Sequence, residues 1–538
     1  MVKIYATVMI RAIPQASFPY RLLLGAAAAL LLAFVNPSEL FTMGFAPLGF
    51  VALIPLAIAV YKTVSFREFL IIIFIYGFIN SLAANYWLFF FRDFRFLTLI
   101  STAAAVGFIA MIGLIPLFAL SGKPPVNRAL LFAAFWTLYE FMKSSGYFGF
   151  PWGLIAYTLH KQPFFNQIAD TTGTWGLSFI FALYNAFLAE CFLAAGRRPP
   201  ASLRPLALLI VLVTAINIAY GLIRWHLPLR ADKEINLLLV QQNLDSWQIT
   251  DEESVRAHLQ AALKGLNRNP GFQPDLIVSG ETTLFNFYDS FADPYSLMPA
   301  ELPLKTFIKN SGAYNLLGAP VRGVNGPENG VVLTDKNAEM LDTYGKRHLV
   351  PFAEGIPLGQ TPFIYNFIIS AIGYYPGWMP GTRDTLFTIK NHRGQTVRFT
   401  TPICFEDAFS AIARRHVLKG SELFIVPTND SWSRRVSAET QHLIASRFRS
   451  IETRRSMARA ANAGITAFID EKGTVTQSLK PFTNDALPVS AQLYTSGFTF
   501  YTLAGDWFII VNLIVLLQQL IAAYRNLCTK QLKLPALY

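Results

Sequence analysis

The sequence predicts a polytopic α-helical membrane protein that carries one large extramembrane domain of mixed strands and helices. Three observations point there. The chain is 53% hydrophobic and only 14% charged, a balance suited to a bilayer rather than to water. Long apolar runs crowd the first two hundred or so positions and recur once near the C-terminus. Between about residues 225 and 500 the chain turns more polar, and short β-rich runs alternate with helical ones.

A helix that crosses the hydrocarbon needs roughly 20 mainly apolar residues. Such runs fall at about 20–36, 43–61, 68–91, 97–120, 128–144, 173–195, 203–223 and 502–523, eight in all. The first, RLLLGAAAALLLAFV, also fits the core of an uncleaved signal sequence; no small-residue cleavage site precedes a mature domain, so it is read as a retained span. Positive charge in the short loops sets the orientation. Lys3 and Arg11, Lys62 and Arg67, Lys123 and Arg128, Arg197, Arg198 and Arg204, and Arg525, Lys530 and Lys533 fall on one side. The other side's short loops hold only Arg92, Arg95 and Lys161. Both termini are therefore expected in the cytoplasm and the 225–500 insert on the opposite face. The net charge of +12 is explained by this topology and not by nucleic-acid binding. Charges inside the spans are few, Glu140, Lys143 and Glu190 near span ends, which argues against an ion path.

In the insert, EINLLLVQQN, PDLIVSGE, AYNLLGAP, GVVLTD, VRFTTPICF and ELFIVPTND read as strands, and 252–266 and 438–462 as helices. The pattern implies a layered α/β or α+β domain. On the second helix, Arg447, Arg449, Arg454 and Arg455 around Glu452 read as ion pairs three or four residues apart. The expected domains are a seven-helix membrane part at 1–224, the insert at 225–500, and an eighth span with its tail at 501–538.

Of the three cysteines, Cys191 falls in a span, Cys528 in the tail and Cys404 alone in the insert, so no disulfide forms within that domain. An unpaired thiol facing an oxidising exterior is either a reactive group or a small buried hydrophobe. In RFTTPICFEDAF a strand runs up to Cys404, with Glu406 two positions on. Attack on a carbonyl requires a base for the thiol proton and donors for the developing oxyanion. None of His258, His348, His392, His416 and His442 stands in a local setting that announces a Cys-His pair. Better placed are Glu281, which ends PDLIVSGE, and Lys346 in TYGKRHLVPFAEGIP, because strand ends deliver side chains to the rim of a sheet. Each alone also reads as an ordinary surface charge. No zinc or calcium ligand spacing and no Gly-rich phosphate loop is present, so no metal, nucleotide or other cofactor is expected.

The order Glu281, Lys346, Cys404, each at a strand end, resembles the nitrilase superfamily, whose members use a Glu-Lys-Cys triad on an α-β-β-α sandwich. Seven spans, such a domain and one more span are similar to its membrane-embedded branch, the apolipoprotein N-acyltransferases of bacterial lipoprotein maturation. The likeness runs along nearly the whole chain: GFAPLGFVALIPLA, YGFINSLAANYWLF, FGFPWGLIAYT and TGTWGLSFIFALYNAFLA in the membrane part, then KRHLVPFAEGIPL, ICFED, and PTNDSW followed by QHLIASRFRSIETRR. The resemblance implies Glu281 as general base, Lys346 as the cation at the oxyanion, Cys404 as nucleophile and Glu354 as a further acid that holds the lysine and its loop. Glu406 has two readings, an acid required beside the nucleophile or a carboxylate at a helix start. The chain departs from the family pattern at Ser279 and Gly280, where Trp-Pro is common before the base, at Phe405, where Tyr is common after the nucleophile, and at Ser433, where an aromatic is usual.

The implied reaction moves an acyl chain from a phospholipid, through a thioester on Cys404, to the N-terminal amine of a diacylglyceryl-cysteine lipoprotein. The implied setting is the bacterial inner membrane, multi-pass, with the catalytic domain periplasmic and the protein a monomer. Residues 357–382, apolar and aromatic but punctuated by Gly and Pro, read either as an arm that dips into the outer leaflet, with Phe363, Ile368 and Ile369 meeting lipid, or as a buried packing loop. Trp152 reads as an interfacial anchor or as a lining of the lipid portal. A membrane-anchored amidase that hydrolyses the same thioester is the rival reading.

Overall fold

A computed structural model describes residues 17–91, 95–195, 203–227, 231–245, 249–288, 301–356, 361–372, 377–495 and 497–531 of the 538-residue chain. The chain divides into two compact units, one of Met1–Phe89, Phe94–Arg224 and Ala504–Tyr538, the other of Phe90–Asp93 and Trp225–Leu503.

The first unit is helical. Five of its helices, Phe18–Val35, Phe66–Ala84, Arg95–Gly113, Thr174–Ala194 and Leu203–His226, are long and apolar enough to cross a membrane. The other three expected spans are helical but shorter or more polar. The 43–61 run divides into a 3-10 turn, Ala46–Phe50, and a helix, Ile54–Lys62, because Pro47 and Pro55 each start a helix afresh and withhold a backbone donor. Pro125–Lys143 carries Arg128, Glu140 and Lys143. Near the C-terminus the apolar stretch of the last helix is Trp507–Ala522.

Glu140, Lys143, Asp170 and Glu190, the buried acids and lysine of this unit among the described residues, all have partners, as burial in a low dielectric demands. Arg128 forks onto Glu190 at 2.7 and 2.6 Å, and Arg224 meets Asp170 at 2.8 Å. Glu140 accepts from the Ile155 N–H at 2.9 Å, and Lys143 donates to the Trp152 carbonyl at 2.7 Å. Trp152 is itself buried, with its ring stacked on Phe150.

The second unit holds two six-stranded sheets. The strands are β1 (Lys233–Gln241), β2 (Leu276–Val278), β3 (Tyr314–Gly323), β4 (Gly326–Thr334), β5 (Met340–Gly345), β6 (Phe387–Lys390), β7 (Thr396–Thr400), β8 (Leu423–Thr428), β9 (Ser456–Ala461), β10 (Ala467–Ile469), β11 (Val475–Ser478) and β12 (Asp485–Leu493). One sheet runs β12-β1-β2-β3-β4-β5, the other β11-β10-β9-β8-β7-β6. Each has a parallel centre, β1-β2-β3 and β7-β8-β9, with antiparallel flanks.

Alternation along the strands assembles the layers. Ile235, Leu237 and Leu239 of β1 join Leu423 and Ile425 of β8 in one core between the sheets. Their neighbours face the other way: Leu238 and Val240 pack on Ala261 and Ala262 of helix Asp251–Arg268, and Phe424 and Val426 pack on Val417 and Leu443 of helices Ser410–Leu418 and Val436–Thr453. Each such fully buried Leu, Ile or Phe stabilises the fold by about 1.5–3 kcal/mol.

One expected element is corrected. The helix read over 438–462 stops at Thr453, where Arg454 adopts a left-handed φ of +52°, and the chain continues as β9 between β8 and β10. Ser456–Ala461 is buried throughout. Its alanines favour a helix locally, but pairing with β8 along the whole strand overrides that preference. Of the expected arginine pairs, Arg449 with Glu452, at 3.0 Å, is an i,i+3 helix pair. Arg455 lies past the helix and donates to the Ser421 and Gly497 carbonyls.

Candidate active site

The parallel centres of the two sheets deliver their C-terminal ends, the usual ligand-binding edge of such sheets. Glu281 follows β2, Cys404 follows β7 and Asp430 follows β8. β5 is antiparallel to β4, which is antiparallel to β3, so β5 runs in the sense of β3 and releases Lys346 at the same edge, where Asn329 sits near the start of β4. Residues far apart in sequence therefore meet.

Lys346 is fully buried and donates to Glu281 Oε1 at 3.0 Å and to Glu354 Oε1 at 2.8 Å. Asn329, which sequence reasoning missed, donates from Nδ2 to the same two oxygens at 2.8 and 3.0 Å. One ammonium and one amide thus clamp two carboxylates, and among the described residues one of the three ammonium N–H donors stays uncommitted. Glu354 is anchored in turn by the Val350 N–H at 2.8 Å. Burial lifts the Glu281 carboxyl above the ordinary range, and the second carboxylate adds to this against the pull of Lys346. Burial opposes the Lys346 charge, but Glu281, Glu354 and Cys404 outweigh it and hold the ammonium well above its usual value.

Cys404 does not end a strand. β7 stops at Thr400, and the cysteine opens a 3-10 turn, Cys404–Ala408, with a left-handed φ of +50°. A β-carbon in that region is held only where surroundings overdetermine it. Burial, then the charges of Glu281 and Asp430, push its thiol well up despite Lys346, so sulfur rests as S–H. A neighbouring carboxylate of raised proton affinity is the complement that such a thiol needs for proton transfer.

Glu406 answers the question of why an acid stands two positions from the thiol. Fully buried, it accepts from the N–H groups of Arg347 (2.9 Å), His348 (3.0 Å) and Ile403 (2.8 Å), and from the Tyr344 hydroxyl at 3.0 Å. It ties the lysine loop to the residue before Cys404. Phe405 is buried against His348, with Phe409 completing the aromatic cluster. At Gly280 a β-carbon would lie 2.8 Å from the Asn462 nitrogen, so packing favours a glycine there. Ser279 accepts the Gly318 N–H at 2.9 Å.

Beneath the Cys404 turn lies a second buried cluster that sequence reasoning missed. His442 Nδ1 is 2.9 Å from Asp430 Oδ1, and its Nε2 is 3.0 Å from Asp407 Oδ1 and 3.3 Å from the Cys404 carbonyl. Arg459 donates to Asp430 Oδ2 at 2.9 Å and to Asp407. Burial and Arg459 oppose a charge on His442, but the two aspartates prevail and raise it to about 9. The histidine reading was half right: no local signal pairs His442 with Cys404, yet the fold brings them together across 38 positions.

The expected lipid-contact residues are placed as follows. Phe363 and Ile369 lie on helix Pro362–Ile372 and are 79% and 38% exposed, unlike a buried packing loop. Ile368 is on the same helix, outside the residues whose side chains are described, as are residues 357–360 and 373–376 altogether. Trp152 belongs to the helical unit.

Two family models match the chain. Residues 26–187 match the apolipoprotein N-acyltransferase N-terminal domain, and residues 239–495 match carbon-nitrogen hydrolase. The second unit is thus a carbon-nitrogen hydrolase domain, carried on the same chain as an apolar helical unit. Apolipoprotein N-acyltransferase 2 of Treponema denticola is 34% identical over 503 residues, 91% of this chain and 95% of its own. The protein of the same name from Treponema pallidum is 32% identical over 90% of this chain and 92% of its own, and apolipoprotein N-acyltransferase of Borreliella burgdorferi is 28% identical over the same shares. The chain belongs to the apolipoprotein N-acyltransferase family.

Proposed function

We propose that this protein transfers a fatty acyl chain from a phospholipid to the N-terminal amine of a diacylglyceryl-cysteine lipoprotein, through a thioester on Cys404. The observation that carries this reading is the buried Glu281–Lys346–Glu354 cluster, which influences the Cys404 thiol in a chain of this family. Glu281 takes the thiol proton as sulfur attacks the ester carbonyl; the S–C bond forms, the C–O bond breaks, and the proton leaves with the lysophospholipid alcohol. The free Lys346 N–H is suited to the tetrahedral oxyanion. In the second half the lipoprotein amine attacks the thioester, Glu281 takes a proton from the attacking nitrogen, the N–C bond forms, the C–S bond breaks, and Glu281 passes that proton to sulfur. Glu354 and Glu406 hold the lysine loop, and Phe405 packs the turn.

The exposed apolar face of helix Pro362–Ile372, with Phe363, Phe367 and Ile369, supports an arm through which lipid reaches the site without crossing water. Extraction of an acyl chain into water would cost about 0.8 kcal/mol per methylene. In this reading 1–224 and 501–538 supply eight spans in the inner membrane, and 225–500 is an α-β-β-α domain on the periplasmic face. All the groups invoked come from one chain, in keeping with a monomer. Relatives named as acyltransferases along almost their whole length favour the amine over water as second nucleophile.

The test is intact mass after incubation with phospholipid. An acyl-sized addition on Cys404, removed by hydroxylamine, absent in Cys404→Ala and passed to a lipopeptide amine, is expected. An adduct that only hydrolyses would support the amidase instead.

A further inference from the structure

The cluster under Cys404 is not used by the chemistry above, yet it is closed and charge-matched. The carboxylates of Asp407 and Asp430 each face both the His442 ring and the Arg459 guanidinium, and Arg459 Nη2 also lies 2.9 Å from His442 Nδ1. Asp407, His442 and Arg459 are at most 5% exposed, and Asp430 is 5% exposed. Ser446 also donates to Asp407, at 2.8 Å. Glu439 lies beside Asp430, and burial together with that neighbour lifts its carboxyl well above the ordinary range. Ligand atoms of Cys404, Asp430 and His442 all lie within 4.8 Å of one another. That trio does not read as a metal site: both ring nitrogens of His442 face carboxylates, and Arg459 already brings a positive charge to both aspartates.

We propose that Asp407, Asp430, His442 and Arg459 form a charge-balanced mount for the nucleophile, with His442 as its positioning residue. The proposal rests on the reading of Cys404 as nucleophile. The Nε2 group of His442 reaches the Cys404 carbonyl and Asp407 within the same turn, so one ring fixes a backbone held at φ +50°. The positive ring also offsets Asp430 next to the sulfur, which keeps a second uncompensated negative charge from opposing the thiolate. The titratable and charged groups around the thiol and its turn are Glu281 and Lys346 from one sheet, Asp430 and Arg459 from the other, His442 and Glu439 from helix Val436–Thr453, and Asp407 from the turn itself.

The charge balance gives opposite signs to two substitutions. The rate of iodoacetamide alkylation at the Cys404 peptide is followed by mass spectrometry on the full chain in detergent across neutral and alkaline pH. His442→Gln removes a positive charge and is expected to slow alkylation about 10- to 100-fold at neutral pH, with its profile moved to higher pH. Asp430→Asn removes a negative charge and is expected to speed alkylation and move the profile to lower pH. The double variant returns close to the parent. Slowing by both single variants alike, or an unshifted profile for His442→Gln, would overturn the proposal. If His442→Gln does not fold, Asp430→Asn decides alone: faster supports the mount, slower removes it. Opposed shifts in a protein that forms no lipid adduct would leave the mount standing and sink the acyl-transfer reading.

Discussion

Asn329→Ala isolates how the protein sets its base. The amide donates one bond to Glu281 and one to Glu354, at 2.8 and 3.0 Å. Only the first bears directly on the Glu281 proton. A hydrogen bond to a charged group contributes about 1.5–3 kcal/mol, and about 1.4 kcal/mol corresponds to one pKa unit. Loss of a donor to the ionised form should therefore raise an already elevated Glu281 by about one to two units. Lys346 still binds the carboxylate at 3.0 Å, so the base survives. The assay is the single-turnover rate of thioester formation on Cys404 as a function of pH. Its acid limb should move to higher pH by about one to two units, with the rate recovered above it. A rate lowered equally at every pH, with the limb unmoved, would refute Glu281 as the base that Asn329 tunes.

Three further outcomes are expected. Lys346→Met should leave Glu281 and Glu354 buried without their ammonium, at a cost of about 3–5 kcal/mol, read as a lower unfolding midpoint together with loss of the Cys404 adduct. Glu406→Gln turns an amide N–H₂ toward backbone donors and should cost about 1–3 kcal/mol for each N–H left unsatisfied, with faster hydrogen exchange at Arg347 and His348. His442 has a folded value of about 9 against 6.5. A raised value means stability fully present below 6.5 and lost as pH rises through about 9, so the unfolding midpoint should fall across that interval and fall less in His442→Gln.

Much of this molecule is legible along the chain because its signals are local. Apolar length announces the five long helices, and β-rich runs announce β1, β2, β3, β4 and β8 close to their observed limits. The order of an acid, an amine and a thiol along the insert, with the resemblance it carries, pointed to Glu281, Lys346 and Cys404, although Cys404 opens a turn and does not end a strand. Glu406 was visible as an acid by the thiol, but three of its four donors come from the distant stretch 344–348, so its purpose was not.

Sequence by itself determined the apolar helical part and the mixed insert and picked out Glu281, Lys346 and Cys404 as candidates, since periodicity and residue chemistry act over a few positions. Only the tertiary structure decided that 456–461 is a strand, that Asn329 shares two oxygens with Lys346, and that His442, Asp430 and Arg459 surround the cysteine turn. Those outcomes depend on which strands lie side by side, and pairing across dozens of residues is governed by burial and hydrogen-bond closure that no short window of sequence contains.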